Sequence, residues 1–341
     1  MPTVASVGAA ALCAALLVGT ANAEEIARGT IERIKVHSPS IEGNLQGNSA
    51  ERDVLVYLPP SYSTDTNRRY PVVYQLHGWL PGAEQWAQMI QFQERTDRAI
   101  ASGTAKEMII VLPDSQGIFG GAMYSNSVTS GDFEGFIARD LVAEIDRRYR
   151  TIPERRSRGL SGHSMGGYGT LRIAMKYPDL YAAFYAMSSC CVAPFEATGP
   201  MMEQAAALET PDEAKGAPIF ARVQLTQAAA WSPNPKKPPF FFDLPLENGE
   251  VNELALMKWN ANVPLVMVDQ YVPALKQYDA IALDCGEQDN LIGANRQFSE
   301  VLTSYGIEHT FETYEGDHTN RVAERYGDHV LPFFSRVLAF E

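Results

Sequence analysis

The sequence predicts an α/β fold with a mostly parallel central sheet, and three observations predict it. Short, nearly continuous apolar runs recur from Val72 onward, segments with apolar residues at three- and four-residue spacing lie between them, and one Gly-x-Ser-x-Gly pentapeptide sits where a run of the first kind meets one of the second. Strands that are apolar throughout are buried on both faces, the condition of a parallel sheet covered by crossover helices.

The first 23 residues contain no Lys, Arg, Asp or Glu, run apolar from Val7 through Val18, and end in Ala21-Asn22-Ala23, a small-x-small cleavage pattern. They read as a signal peptide, although no basic residue precedes the apolar core. That core is too short for a permanent membrane helix of about 20 residues, and no later stretch approaches the length. The expectation is a secreted or periplasmic protein whose residues 24–341 form one catalytic domain with no integral membrane span.

Thr30–His37 and Asp53–Leu58 carry Val and Ile in alternating or continuous runs, with the polar stretch 43–49 between them, and predict an antiparallel start. The parallel strands are expected at Val72–Leu76, Met108–Leu112, Gly159–Gly162, Ala182–Met187, Ala280–Asp284 and Thr310–Tyr314. The clearest helical periods are Glu134–Tyr149, Gly167–Lys176, Ala294–Tyr305 and Arg321–Leu338.

About 85 residues, 192–276, separate the fourth parallel strand from the next, far beyond the usual connection of about 2–6 residues. They hold the Pro-rich Ser232–Pro239 and the aromatics Trp231, Phe240, Phe241, Phe242 and Trp259. The segment reads as a lid-like insertion over the carboxyl edge of the sheet, where open α/β sheets bind ligands. Trp231 and Phe240 are the substrate-contact candidates; the alternative is that these aromatics pack a small core of the insertion's own.

A net charge of −13 argues against nucleic acid or an anionic membrane as partner, since either needs a basic surface. Cleavage would remove Cys13 and leave Cys190, Cys191 and Cys285, with neither a Cys-x-x-Cys pair nor zinc-ligand spacing, so no metal and no cofactor are expected. Export permits a disulfide between Cys285 and one of the adjacent pair, and buried free thiols fit equally well. The oligomeric state is left open.

Gly162-His163-Ser164-Met165-Gly166 follows an expected strand and opens an expected helix. A sharp strand-to-helix turn exposes the serine oxygen in strained backbone, needs glycine on either side, and places a helix N-terminus where negative charge develops. Serine needs a histidine to take its proton and an acid to hold that histidine's tautomer, in chain order Ser, acid, His. Of the histidines after Ser164, His309 begins a strand and His329 lies within the last helix, whereas His318 closes the loop after a strand. Asp289, in the loop just before the next helix, is the acid of choice, with Glu287 the fallback and an N-cap role its structural alternative. Oxyanion donors are expected from the backbone N–H of Met165 and, past the first parallel strand, of Trp79.

Tyr70-Pro71-Val72-Val73-Tyr74-Gln75-Leu76-His77-Gly78, Val111-Leu112-Pro113-Asp114, Tyr124-Ser125-Asn126-Ser127 and Leu160-Ser161-Gly162-His163-Ser164-Met165-Gly166-Gly167-Tyr168-Gly169 together resemble the esterase D family of α/β-hydrolases. Feruloyl esterases, S-formylglutathione hydrolases, enterochelin esterases and mycolyltransferases are similar. The resemblance, over about 51–189 and 280–338, implies the α/β-hydrolase fold, acyl-ester chemistry without a cofactor, a triad matching Ser164, Asp289 and His318, and oxyanion donors matching Trp79 and Met165. The insertion is larger than the resemblance leads one to expect. The expected function is an exported serine carboxylesterase acting on a small-molecule or carbohydrate-linked ester through an acyl-enzyme. Acyl transfer, thioester hydrolysis and a binding module without catalysis are the alternatives.

Overall fold

The computed structural model describes residues 1–3 and 26–341; the expected signal peptide, but for its first three residues, lies outside them. The elements run β1 (Thr30–His37), β2 (Glu51–Leu58), β3 (Val72–Leu76), α1 (Ala83–Met89), α2 (Phe92–Ala101), β4 (Ile109–Pro113), α3 (133–148), β5 (Arg158–His163), α4 (Met165–Lys176) and β6 (Ala183–Met187). An insertion follows with α5 (Pro200–Ala206), α6 (Pro211–Gly216), α7 (Ile219–Trp231), α8 (Glu253–Asn260) and α9 (Pro264–Leu275). The chain then closes with β7 (Ala280–Gly286), α10 (Ile292–Ser304), β8 (Thr310–Tyr314) and α11 (322–337).

All eight strands join one sheet in the order β1-β2-β4-β3-β5-β6-β7-β8. β2 pairs antiparallel with both β1 and β4, and every other pairing is parallel. The physical reason is legible in the strands: β3, β4, β5 and β6 are buried at every position, so both faces must be covered. One face packs on α3, α4, α10 and the insertion through Ile137, Leu171, Phe298 and Leu225. The other packs on α1, α2 and α11 through Trp86, Phe92 and Phe334.

The order of crossovers positions the site. From β3 the chain steps outward to β4, then returns to the opposite side of β3 to form β5. Connections leaving β3 and β5 therefore diverge to opposite faces, and the gap between their carboxyl ends is where an open sheet admits a ligand.

The expected strands all form, with ends displaced by two residues at most. Two of the expected helices contain a π-helical turn, Phe136–Leu141 within α3 and Tyr326–Val330 within α11. The latter lies beside an ionic cluster buried at its centre and open at Glu312: Arg325 donates to Asp284 on β7 (2.8 Å), to the Tyr185 hydroxyl on β6 (2.9 Å) and to Glu312 on β8 (2.7 Å). One guanidinium thus ties three adjacent strands to the last helix.

Inside the insertion, Trp231 meets Trp259 edge to face with ring centroids 5.7 Å apart, and Phe195 packs against both. Each indole N–H is satisfied, Trp231 by Ser125 Oγ (3.2 Å) and Trp259 by Ser232 Oγ (2.8 Å). The insertion is fastened to α4, where Tyr168 donates to the Asn262 carbonyl and Arg172 to its side-chain oxygen.

Candidate active site

β5 ends at His163, and Ser164 turns the chain into α4 with φ +58° and ψ −114°, a left-handed conformation that costs a residue bearing a Cβ. The turn is held by tight approaches. A Cβ on Gly162 would stand 2.3 Å from the Gly166 oxygen, and one on Gly166 2.2 Å from the Leu76 oxygen. Neither position accepts any side chain, which accounts for both glycines of the pentapeptide.

Ser164 Oγ lies 2.9 Å from His318 Nε2, and His318 Nδ1 lies 2.7 Å from Asp289 Oδ2. His318 stands in the loop after β8, Asp289 in the loop after β7, and Ser164 after β5, so the carboxyl ends of three parallel strands bring the three side chains together. The Asp289 side chain is 2% exposed and that of His318 is 35% exposed. Burial pushes the Asp289 carboxyl up, but hydrogen bonds from His318 and from the Leu291 N–H outweigh it and hold it below the ordinary value. The rival acid, Glu287, points outward to Thr313 Oγ1 at 3.2 Å. His309 is engaged by Ser299, and His329 by Glu312 and Arg325, both away from Ser164.

His163 sits inside the turn itself, and the structure gives it a place beside His318. Its Nε2 lies 2.7 Å from the His318 carbonyl oxygen, and its ring packs on His318 (centroids 4.7 Å) and stacks on Trp86 (5.2 Å). Burial, reinforced by the neighbouring imidazole, pushes its pKa down to about 3. It is therefore neutral, and the carbonyl contact requires the proton on Nε2.

Trp79 and Met165 both line the cleft with Ser164, and among the described residues neither backbone N–H has a protein acceptor. A Cβ on Gly78 would come within 3.6 Å of Ser164 Cβ, which measures how closely the loop after β3 passes the serine. The Trp79 indole donates to Thr226 Oγ1 on α7 (3.0 Å), and the Arg222 guanidinium lies 5.6 Å from the ring centroid.

The cleft has a volume of about 690 Å³, with Ser164, His318 and Asp289 on one side and α5 and α7 of the insertion on the other. Its apolar surface comes from Phe195, Met201, Ile219, Phe220, Val223 and Leu291. Trp231 and Phe240, the expected substrate contacts, do not line it. Trp231 is 3% exposed behind Phe195, and Phe240 packs on Phe119 and Phe242, because aromatic surface without access to the cleft is better buried against other rings. The residues at the mouth are the aliphatic Met201 and Ile219 and the exposed Phe220, which carry no pattern of their own in the sequence.

Cys190, Cys191 and Cys285 are all free thiols. Cys285 lies behind the acid, with the Ser188 hydroxyl and Asp289 Oδ2 each 3.7 Å from its sulfur, and burial pushes its thiol up to about 12. Among the described residues it forms no disulfide with the adjacent pair, so of the two readings of the cysteines the free thiols stand.

The family model described as "Putative esterase" matches residues 48–330. An endo-1,4-beta-xylanase/feruloyl esterase of Xylanibacter ruminicola is 27% identical over 182 residues, 52% of this chain and 24% of that protein. An esterase of Mycobacterium tuberculosis is 37% identical over 136 residues, 38% of this chain and 27% of that one. The matched segments thus span about a quarter of these curated relatives. Among solved structures, a ferulic acid esterase superposes with a TM-score of 0.63 at 24% identity, covering 92% of this chain and all of that one. An S-formylglutathione hydrolase from Agrobacterium tumefaciens gives 0.60 at 16% identity over 92% and 97%. These likenesses carry the α/β-hydrolase fold.

Proposed function

The chain belongs to the esterase family, and from that premise we propose that it is an exported serine carboxylesterase with Ser164, His318 and Asp289 as its catalytic triad. The observation that carries the reading is the continuous relay from Ser164 Oγ through His318 to a buried, ionised Asp289, at 2.9 and 2.7 Å, on the wall of an apolar cleft.

Ser164 Oγ attacks the ester carbonyl as His318 Nε2 takes its proton, and the carbonyl oxygen becomes an oxyanion. Donors for that oxygen are the Trp79 and Met165 N–H groups, with the N-terminus of α4 adding its positive dipole end. Collapse expels the alcohol, which takes the proton from His318 and leaves Ser164 acylated. Water then attacks the acyl-enzyme, again losing its proton to His318, and the acid departs as Oγ is reprotonated. Asp289 accepts the Nδ1–H of His318 throughout and stabilises the imidazolium.

The 35% exposure of the His318 side chain leaves the base open to water for the deacylation step. The apolar lining suits an aliphatic or aryl acyl group. Export rests on the charge-free segment ahead of residue 24. The test is hydrolysis of p-nitrophenyl esters from acetyl to decanoyl, with methyl ferulate alongside, by the wild type and Ser164→Ala. The variant should lose turnover by about 10⁶, the scale of triad deletions. Equal rates in the two proteins would overturn the assignment of Ser164.

A further inference from the structure

The esterase chemistry uses oxygen and nitrogen groups alone, yet two thiols stand in the same cleft. Cys190 and Cys191 follow β6 directly, are half-buried, and line the cavity together with Ser164 and His318. Their sulfurs are 2.8 Å apart, with the Cys191 thiol donating to Cys190 Sγ. The Cys190 N–H donates to the carbonyl of Ser164 (3.1 Å), so the pair is anchored to the nucleophile's own backbone. Cys191 holds a left-handed φ of +59°, and its sulfur accepts from Gln227 Nε2 on α7 at 3.2 Å. Two sulfurs are thereby fixed side by side, facing the cleft and linked to both the nucleophile turn and the insertion.

Adjacent Cα atoms are about 3.8 Å apart, short of the roughly 4.4–6.8 Å that an unstrained disulfide spans. A direct S–S bond is therefore disfavoured, whereas a bridging atom makes the ring one member larger and relieves the constraint. The hydrogen bond between the sulfurs, with burial, pushes the Cys190 thiol well above its ordinary range, so Cys190 rests as the neutral thiol. Neutral thiols are slow toward reagents that take one sulfur. A reagent that takes two gains from their fixed proximity, since the second bond closes within the molecule.

We propose that Cys190–Cys191 is a vicinal-dithiol modification site for soft thiophiles that bind two sulfurs, trivalent arsenicals being the chemical class, and that its occupation shuts the adjacent centre. With an organoarsenic(III) oxide, the two S–H bonds and the arsenic–oxygen double bond break, two As–S bonds form, and both protons leave with the oxygen as water. No atom changes oxidation state, so no oxidant is needed. The adduct fills the cleft beside Ser164 and loads the left-handed Cys191 backbone.

The probe is phenylarsine oxide, titrated against the full chain, with intact mass and p-nitrophenyl acetate hydrolysis read in parallel. One adduct per chain is expected, with activity falling at least tenfold as it forms. 2,3-Dimercaptopropanol should reverse it and an equal concentration of 2-mercaptoethanol should not. Cys190→Ser and Cys191→Ser should each abolish the adduct, and Cys285→Ser should retain it. Absence of a wild-type adduct, its persistence in both single variants, or an adduct that leaves the rate unchanged overturns the proposal. The inhibition readout rests on the esterase reading, but the mass readout needs no ester, so a silent esterase and a failed dithiol site give different results.

Discussion

At the scale of single residues, the centre depends on how firmly His318 is held between Ser164 and Asp289. Asp289→Asn replaces an acceptor by a group that can favour the wrong tautomer, and should lower kcat by about 10⁴ at neutral pH, while Glu287→Gln stays near wild type. Comparison of kcat for the two variants checks the choice of acid. His163 acts through His318, as a positioning residue. His163→Phe removes the donor to the His318 carbonyl and should cost up to about tenfold in kcat with KM little changed, a loss that His163→Gln, which keeps a donor, partly rescues. The buried imidazole also predicts a pH dependence. Its folded pKa of about 3 lies below the ordinary 6.5, so its contribution to stability is present above pH 6.5 and is lost as pH falls toward 3. Denaturant unfolding of wild type and His163→Gln should differ in slope by up to about 1.4 kcal/mol per pH unit between those limits. That Ser164, Asp289 and His318 come together was legible because motif, loop position and chain order each narrow the choice. His163 was not, since nothing local says that a residue within the turn also supports the base.

At the scale of elements, α11 is held to the sheet by apolar packing and by the Arg325 cluster. Arg325→Met leaves Asp284, fully buried on β7, without its cation, and should destabilise the fold by about 3–5 kcal/mol in denaturant unfolding. Adding Asp284→Leu should recover much of that loss, because the uncompensated charge goes with it and the half-exposed Glu312 can rehydrate. The strands were read well because burial on both faces leaves a continuous apolar signature. Helix starts were read less well: α4 begins at Met165, two residues before the expected Gly167, since glycine there marks close packing rather than an end. The π-helical turns in α3 and α11 have no sequence mark, as they answer to contacts with partners distant in the chain. The insertion's aromatics were visible, but whether a ring faces a cleft or another ring is settled by tertiary packing alone.

At the scale of the whole molecule, the insertion roofs the carboxyl edge and touches the loop after β3 through Trp79, whose indole is bound to Thr226 on α7. Thr226→Val deletes that bond and should lower kcat/KM for p-nitrophenyl butyrate by a few-fold, in keeping with a net hydrogen-bond worth of about 0.5–1.5 kcal/mol, while the unfolding midpoint moves little. The same bond couples the position of α7 to the loop after β3. An outward swing of α7 wide enough to admit a bulky ester pulls on the residue whose N–H is assigned to the oxyanion. A form with α7 displaced would therefore hold one oxyanion donor out of place. If large esters enter by that route, their kcat should fall as solvent viscosity rises while that of small esters does not, and equal viscosity dependence for both would exclude it.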